Sequence, residues 1–484
     1  MLRPWNTILK IEIKNKKAVF QQIADGITEE IKKGRLTPGT TLPGTRALAE
    51  DIGVNRKTVV LAYETLMAEG WLSTAYKKGT FVSEKLPEIN SNLNKQKQNS
   101  QNSFKHNLFT NEKPQPVTPI KPTIVFDDGL PDLKLAPINE LARAYRRVFQ
   151  QKARWKMMGY GDEKGEERLR IALSEMLRLE RGLSVDAANI CVTRGSQMAL
   201  YLVACTLIKP GDVVAVENPG YDPVWKAFIH AGASLQPVMV DEQGICATAL
   251  EKLCKRKKLK AVYVTPHHQF PTTVNMKADR RIKLLELSCK YGFAIIEDDY
   301  DHDYHFCLRN VLPIASSDGA SNVIYVSSLA KLIAPAVRIG YVAGPKNFID
   351  SLAALRKIID RQGDNVMELA VAELMEEGAI RKHARRAFFV YKERRDLMAA
   401  YLDMYLSKRA SYEKPDGGLA YWVKFNKSIN TTELAAKLLK KGIFIPTTER
   451  FSFDGKPLNA LRLGYASLNE NELENGIKIL SGMI

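Results

Sequence analysis

Apolar residues near the start of the chain recur at helical spacing. Val19, Ile23, Ile27 and Ile31 share one stripe between Ala18 and Lys33, and Gly34 followed by Pro38 ends the run, so a packing helix is expected there. In LPGTRALAEDIGVNRKTVVLAYETLMAEG, Thr45 is placed to cap a short helix, Gly53 to break it and Asn55 to cap a second. The second helix has Val59, Leu66 and Met67 among its apolar positions, and two helices around a tight turn read as a helix-turn-helix. WLSTAYKKGTFV then alternates as a strand pair does, with Lys77, Lys78 and Gly79 at the turn, which predicts a basic hairpin.

From Leu86 to Pro122 the periodicity vanishes into amides, lysines and prolines, the composition of a linker. As a flexible coil, about 35 such residues span roughly 30–35 Å, enough for the flanking units to move independently. Beyond it, short β-branched runs alternate with helical patterns: AVYVTP, a helix near Asp279 to Tyr291, FAIIEDD, then NVIYVSS with a segment expected to turn helical. This predicts a multidomain α/β protein with a mainly parallel sheet and, from about Glu368, a smaller C-terminal lobe containing YWVKF and IFIP. The expected division is 1–86, 87–122 and 123–484.

Composition adds limits. With 45% hydrophobic and 26% charged residues in 484, global disorder is excluded. The net charge of +17 favours a polyanionic partner or an anionic ligand, but residues 1–86 hold 14 basic against 9 acidic residues, only +5 of the excess. A nucleic-acid claim therefore rests on the motif. The six cysteines contain no CxxC pair and lie mostly in apolar runs, so buried reduced thiols are expected rather than disulfides or a zinc site. The start of the chain lacks the pattern of a secretory leader, and no apolar run nears a membrane span; a cytoplasmic protein without membrane contact is expected.

A recognition helix enters the major groove N-terminus first, which puts Asn55, Arg56, Lys57 and Thr58 where base edges and phosphates are reached. Arg46, Lys77, Lys78 and Gly79 would hold the backbone. A helical packing domain with merely solvated charges is the alternative, but it does not account for the ordered series of helix, helix-turn-helix and basic hairpin. From Val19 to Val82 the chain resembles the winged-helix domain of the GntR superfamily, through LPGTRALAEDIGVNRKTV, AEGWL and KKGTFV. That resemblance implies double-stranded operator DNA as partner.

In NVIYVSSLAKLIAPAVRIGYV, Ser328 and Lys331 follow a strand, and Arg338 comes seven residues after the lysine. A pyridoxal phosphate enzyme needs such a lysine to form the imine, with hydroxyls and a guanidinium for the phosphate. Thirty-three residues before Lys331, a strand ends in Asp298, close to Tyr300. The carboxylate can keep a pyridine nitrogen protonated, and the phenol can bond the ring oxygen. Alone, EDDYDHDY is better read as a divalent-metal site or an acidic loop; Lys331 shifts the balance, and no metal is expected. Gly195, Ser196 and Gln197 open a helix after a strand, an anion-binding arrangement, and Tyr221 is placed to stack on a flat ring or to cap the core.

The order GSQ, NPGY, EDDY, SxxK and LRLGY resembles fold-type I pyridoxal phosphate enzymes of the class I/II aminotransferase group over residues 123–484. The resemblance implies Lys331 as Schiff-base lysine, Asp298 as pyridinium partner, Tyr300 at the ring oxygen and Tyr221 as stacking ring. It implies Ser196, Gln197, Ser328 and Arg338 at the phosphate, Tyr160 reaching it from a partner subunit, and Arg462 at a substrate α-carboxylate. Phe270, in VTPHHQFPTT, departs from the Asn common there and removes one ring-oxygen hydrogen bond; Ala330 replaces a frequent Ser and Thr273 a frequent Gly. HQFP is similar to the fused MocR/GabR-type regulators, and His267 and His268 are taken as structural. The implied protein is a homodimeric transcription regulator that senses pyridoxal phosphate, or an amino compound joined to it, with a linker able to cross between subunits. Two alternatives are a working aminotransferase with an accessory DNA-binding module and a cofactor-free dimerisation scaffold.

Overall fold

The computed structural model describes residues 5–9, 11–12, 17–76, 78–87, 121–151, 155–306 and 311–484, which group into two units, Met1–Gln115 and Pro116–Ile484. The linker expected over 87–122 lies, apart from its ends, outside the described residues.

In the first unit, α1 (Trp5–Ile8) precedes α2 (Val19–Lys32), whose stripe Ile23, Ala24, Ile27 and Ile31 is buried. The helix-turn-helix pair is α3 (Thr45–Asp51) and α4 (Arg56–Ala68), with Gly53 at φ +68° in the turn between them. Thr45 does not cap α3: Gly44 takes the extended N-cap position and Thr45 is already helical, with no side-chain bond to the first turn. Asn55 does cap α4, its side chain accepting from the Lys57 amide at 2.9 Å. Val59, Ala62, Tyr63 and Leu66 bury one face of α4, and the Tyr63 hydroxyl donates to the Pro43 carbonyl at 2.9 Å, tying α4 to the entry of α3. The hairpin pairs β1 (Leu72–Ala75) with β2 (Gly79–Val82), and Thr41 bridges to Phe81.

The second unit begins with β3 (Ile124–Val125), α5 (Ile138–Gln150) and α6 (Glu167–Arg181). Its central elements are β4 (Ile190–Thr193), α7 (Ser196–Leu207), β5 (Val213–Asn218), α8 (Asp222–His230), β6 (Ser234–Asp241), β7 (Gly244–Ile245), α9 (Ala247–Arg256), β8 (Leu259–Val264), α10 (Ala278–Tyr291), β9 (Ala294–Asp299), β10 (Val323–Ser328) and β11 (Gly340–Ala343). The strands lie in the order β4-β11-β10-β9-β8-β5-β6-β7. Strands β10, β9, β8, β5 and β6 run parallel, while β11 runs antiparallel to both β10 and β4. Their apolar side chains are buried on both faces, as helix-covered parallel strands require. The C-terminal ends of β5, β8, β9 and β10 thus share one edge, where such sheets hold ligands.

The segment after β10 does not turn helical as expected. It forms a turn and a single 3₁₀ turn at Pro335–Val337, because Arg338 adopts φ +53° and β11 starts two residues later.

Helices α11 (Lys346–Ile359) and α12 (Asn365–Glu376) lead to the long α13 (Ala379–Leu406). The smaller lobe adds β12 (Ala410–Tyr412), β13 (Ala420–Phe425), α14 (Thr431–Lys440), β14 (Ile443–Phe444), β15 (Ala460–Gly464) and α15 (Glu470–Ser481). Its antiparallel sheet β12-β13-β15 packs a core with α13, α14 and α15, and β14 pairs with β3. The cysteines fit the expectation only in part. Cys191 and Cys254 are buried, Cys205 and Cys246 half-buried and Cys289 exposed, since α10 is amphipathic and turns Cys289 outward; Cys307 lies outside the described residues. Among the described residues no helix is long and apolar enough to cross a membrane.

Candidate functional site

Strand β9 delivers Asp298, 4% exposed, into a cavity of about 220 Å³ that Ser196, Tyr221, Tyr263, Thr265, Tyr300, Lys331 and Arg450 also line. Asp298 Oδ2 accepts from the Tyr263 hydroxyl at 2.8 Å, while Oδ1 has no hydrogen-bond partner. Burial raises the Asp298 carboxyl to about 7, against the lowering by the Tyr263 bond. Lys331 follows β10 by three residues. Its Nζ donates to the Gly129 carbonyl at 2.7 Å and lies 4.7 Å from the Tyr300 ring centre. Burial pulls its ammonium below the ordinary lysine value, which favours the nucleophilic free amine.

The aromatic walls are set by the segment ending in Phe270. Tyr221, half-buried, meets Phe270 edge-on at 5.1 Å, and burial raises its hydroxyl to about 12. Phe270 also packs on Phe451 and lies 4.6 Å beneath the Arg462 guanidinium. Where an Asn would have been a hydrogen-bond donor, Phe270 is an apolar support for two other site residues. The Tyr300 hydroxyl donates to the His268 carbonyl at 2.8 Å. Arg462 is 1% exposed; its Nε and Nη1 donate to the carbonyls of Asp128 and Pro271 at 3.1 and 2.8 Å, and its Nη2 lies 3.5 Å from the Tyr300 hydroxyl. No carboxylate of the described residues forms an ion pair with it, so a buried guanidinium waits beside the cavity without an anion. Thr273 holds φ +61°, a left-handed conformation that strains a β-branched residue and is the physical reason a Gly suits this position.

At the other end of the cavity, Gly195 (φ +84°) turns the chain from β4 into α7, and Ser196 is the first residue of that helix. The turn has no room to spare. A Cβ on Gly195 would sit 3.0 Å from the Arg338 guanidinium, and one on Gly340 would lie 2.6 Å from the Ser196 amide nitrogen. Arg338 is exposed and donates to the Arg194 carbonyl at 2.7 Å. The Ser328 hydroxyl is engaged in its own turn, accepting from the Ala330 amide and donating to the Ile339 carbonyl. Gln197 is exposed on the first turn of α7. Tyr160 stands apart from the cavity lining, 81% exposed, with the Arg361 guanidinium 4.9 Å from its ring.

In the first unit, Asn55, Arg56 and Lys57 are exposed at the start of α4, Thr58 is half-buried, and Arg46 is exposed on the first turn of α3. Lys78 and Gly79 (φ +106°) are exposed at the hairpin turn; Lys77 lies outside the described residues.

Sequence reasoning missed Tyr263, Thr265, Asp128, Gly129 and Arg450. Tyr263 had a signal, since it lies near the end of AVYV, the strand beside FAIIEDD. The Gly129 carbonyl had none, because it meets Lys331 across 202 residues.

Glu217 gives a further test. Burial raises its carboxyl to about 7, although Oε2 accepts from the Thr265 amide and hydroxyl and from Gln269. A carboxyl with a raised folded-state value holds its proton longer in the native chain, so stability falls as pH climbs from about 4.5 to about 7. Glu217→Gln cannot ionise and is expected to stabilise the protein at pH 8 by about 1–3 kcal/mol, with no gain at pH 4.5; melting curves at the two values check this.

The model of the aminotransferase class I and II family matches residues 126–480, and that of the gntR family of bacterial regulatory proteins matches residues 20–82. The chain belongs to the aminotransferase class I and II family. Joined to a GntR-type helix-turn-helix domain, which implies DNA binding, it has the architecture of a MocR-type regulator. It is 29% identical over 464 residues to the probable rhizopine catabolism regulatory protein MocR of Rhizobium meliloti, covering 96% of this chain and 93% of the relative. It is 30% identical over 361 residues to aromatic-amino-acid aminotransferase 1 of Thermococcus litoralis, covering 74% and 86%. The solved kynurenine aminotransferase of Pyrococcus horikoshii superposes with a TM-score of 0.70 at 29% identity, covering 74% of this chain and 90% of that one. This fold implies pyridoxal phosphate as cofactor. The cavity fits it on an independent count: a buried carboxylate oxygen without a partner, on Asp298, shares the cavity with an amine of lowered basicity.

Proposed function

We propose that this protein is a transcription regulator whose winged helices bind operator DNA under the control of pyridoxal phosphate, or of an amino compound captured by it. One observation carries the reading: the same chain presents exposed basic residues at the start of α4 and a cavity joining Lys331 to the unpartnered oxygen of Asp298. When bound, pyridoxal phosphate supplies an aldehyde that reacts with amines and a ring that withdraws electrons.

The chain's own residues divide the work. Asp298, positioned by the Tyr263 hydroxyl, holds a proton on the ring nitrogen, and Lys331 offers its amine. Tyr221 and Phe270 would give the flat ring an apolar wall and exclude water. The first amides of α7, with Ser196, Gln197, Ser328 and Arg338, hold the phosphate dianion. Tyr300 would serve the ring oxygen, and Arg462 would receive an effector's carboxylate in a bidentate pair.

Domain limits of 1–86 and 123–484, a cytoplasmic location and a homodimer reading paired half-sites belong to the same proposal. The strong exposure of Tyr160 supports its use across the dimer. An effector acts through its difference in affinity between two states of the dimer, typically about 1–3 kcal/mol. One observation favours slow amino-group turnover as a second reading, namely that Arg462 stands ready for a carboxylate.

The test is operator binding across a panel of amino compounds in wild type and Arg462→Ala. The variant is expected to keep its cofactor and DNA affinity while needing about 10- to 100-fold more effector for half-response, the loss of about 1.4–2.7 kcal/mol of charge-assisted bonding. An unchanged effector requirement refutes the carboxylate role.

A further inference from the structure

Behind Asp298, on the other face of β9, lies a group of side chains with no part in the reading above. Consecutive strand residues point to opposite faces, so Asp299 turns away from the cavity that Asp298 lines. There it meets His267 and His302, and ligand atoms of the three residues all lie within 4.8 Å of one another. The His267 and His302 rings are 4.4 Å apart.

The arrangement leaves polar atoms unanswered. His267 is 2% exposed and Asp299 1% exposed; the His267 Nδ1 and Asp299 Oδ1 stand 3.7 Å apart, and neither has a hydrogen-bond partner. The His302 Nδ1 lies 3.0 Å from Asp299 Oδ2, an ion pair when that ring is protonated but without the alignment of a good hydrogen bond, and that oxygen already accepts from the Tyr325 hydroxyl at 2.6 Å. Buried polar atoms without a well-aligned partner are costly, and three lie together here. A cation there would satisfy all three. The Tyr325 hydroxyl would orient the carboxylate as outer partners do in metal sites, while the Ser327 hydroxyl donates to the Asp299 backbone carbonyl at 2.6 Å and fixes the end of β9.

We propose that His267, Asp299 and His302 form a binding site for one divalent transition-metal ion of the zinc class. Two imidazoles and a carboxylate suit zinc or cobalt, whereas magnesium and calcium take oxygen ligands. Three protein ligands leave a fourth position for water. The nearby guanidiniums are already held: Arg181 by Asp303 at 3.0 Å, and Arg281 by the carbonyls of Met276, Leu312 and Pro266. The ion would link the loop bearing His267 to the end of β9, clamping the two segments that flank Asp298.

The experiment uses tag-free full-length protein, stripped with a chelator and titrated with cobalt(II) as a spectroscopic probe, then with zinc(II) by calorimetry. One equivalent per chain is expected, with visible d–d absorption of a low-coordinate site that zinc abolishes. His302→Ala, on a partly exposed turn, and Asp299→Asn should each weaken cobalt binding by more than about tenfold while the cofactor's visible band shows the fold intact. Wild type that takes up no more cobalt than His302→Ala, or one equivalent bound equally by both variants, overturns the proposal.

Discussion

Lys331→Ala is expected to lose the visible, borohydride-reducible absorbance of the holoprotein and, with it, any response of operator binding to added cofactor. Its Nζ is the only amine among the described residues that line the cavity, and burial holds it below the ordinary lysine value, so none of those residues can replace it. The folded chain should survive. The deletion leaves the Gly129 carbonyl without its donor, a loss of about 1–3 kcal/mol, small against the three apolar cores of the sheet. Absorbance spectra before and after borohydride, with a melting curve of each protein, make the comparison. A variant that keeps a reducible band would show that the cofactor is joined elsewhere.

The second large effect belongs to the DNA-binding unit. Arg56→Ala should weaken specific operator binding strongly while leaving cofactor uptake unchanged. Arg56 is the first residue of α4 and exposed to solvent, and a bidentate arginine contact to a base is worth about 1–3 kcal/mol. In a dimer the loss is taken at both half-sites, roughly 30-fold or more in affinity. Helix α4 itself should persist, since its N-cap is the Asn55 side chain and its buried face is untouched. Fluorescence anisotropy with a labelled operator reads the effect, and a variant of undiminished affinity would remove Arg56 from the recognition surface.

The parts of this molecule that could be read from the sequence are those whose physics is local. The stripe in α2, the Asn55 cap and the alternating hairpin are written within a few residues of one another. So are the strand ends that carry Asp298 and Lys331. Local reasoning failed where two residues competed for one role, as when Gly44 rather than Thr45 took the N-cap of α3. It could not find partners brought together by the sheet. Tyr263 reaches Asp298 only because β8 and β9 are parallel neighbours, and Gly129 reaches Lys331 only because the chain returns across the whole domain. The acidic run EDDYDHDY shows both limits at once, since strand alternation divides it between two faces with different surroundings.

Operator affinity measured with and without pyridoxal phosphate, in wild type and in Lys331→Ala side by side, tests the coupling of cofactor to DNA most simply. The cofactor is expected to change wild-type affinity about 5- to 150-fold, the range of a coupling of about 1–3 kcal/mol, and to leave the variant unmoved. Equal operator affinity in all four samples would contradict that coupling and leave the aminotransferase domain without a regulatory part.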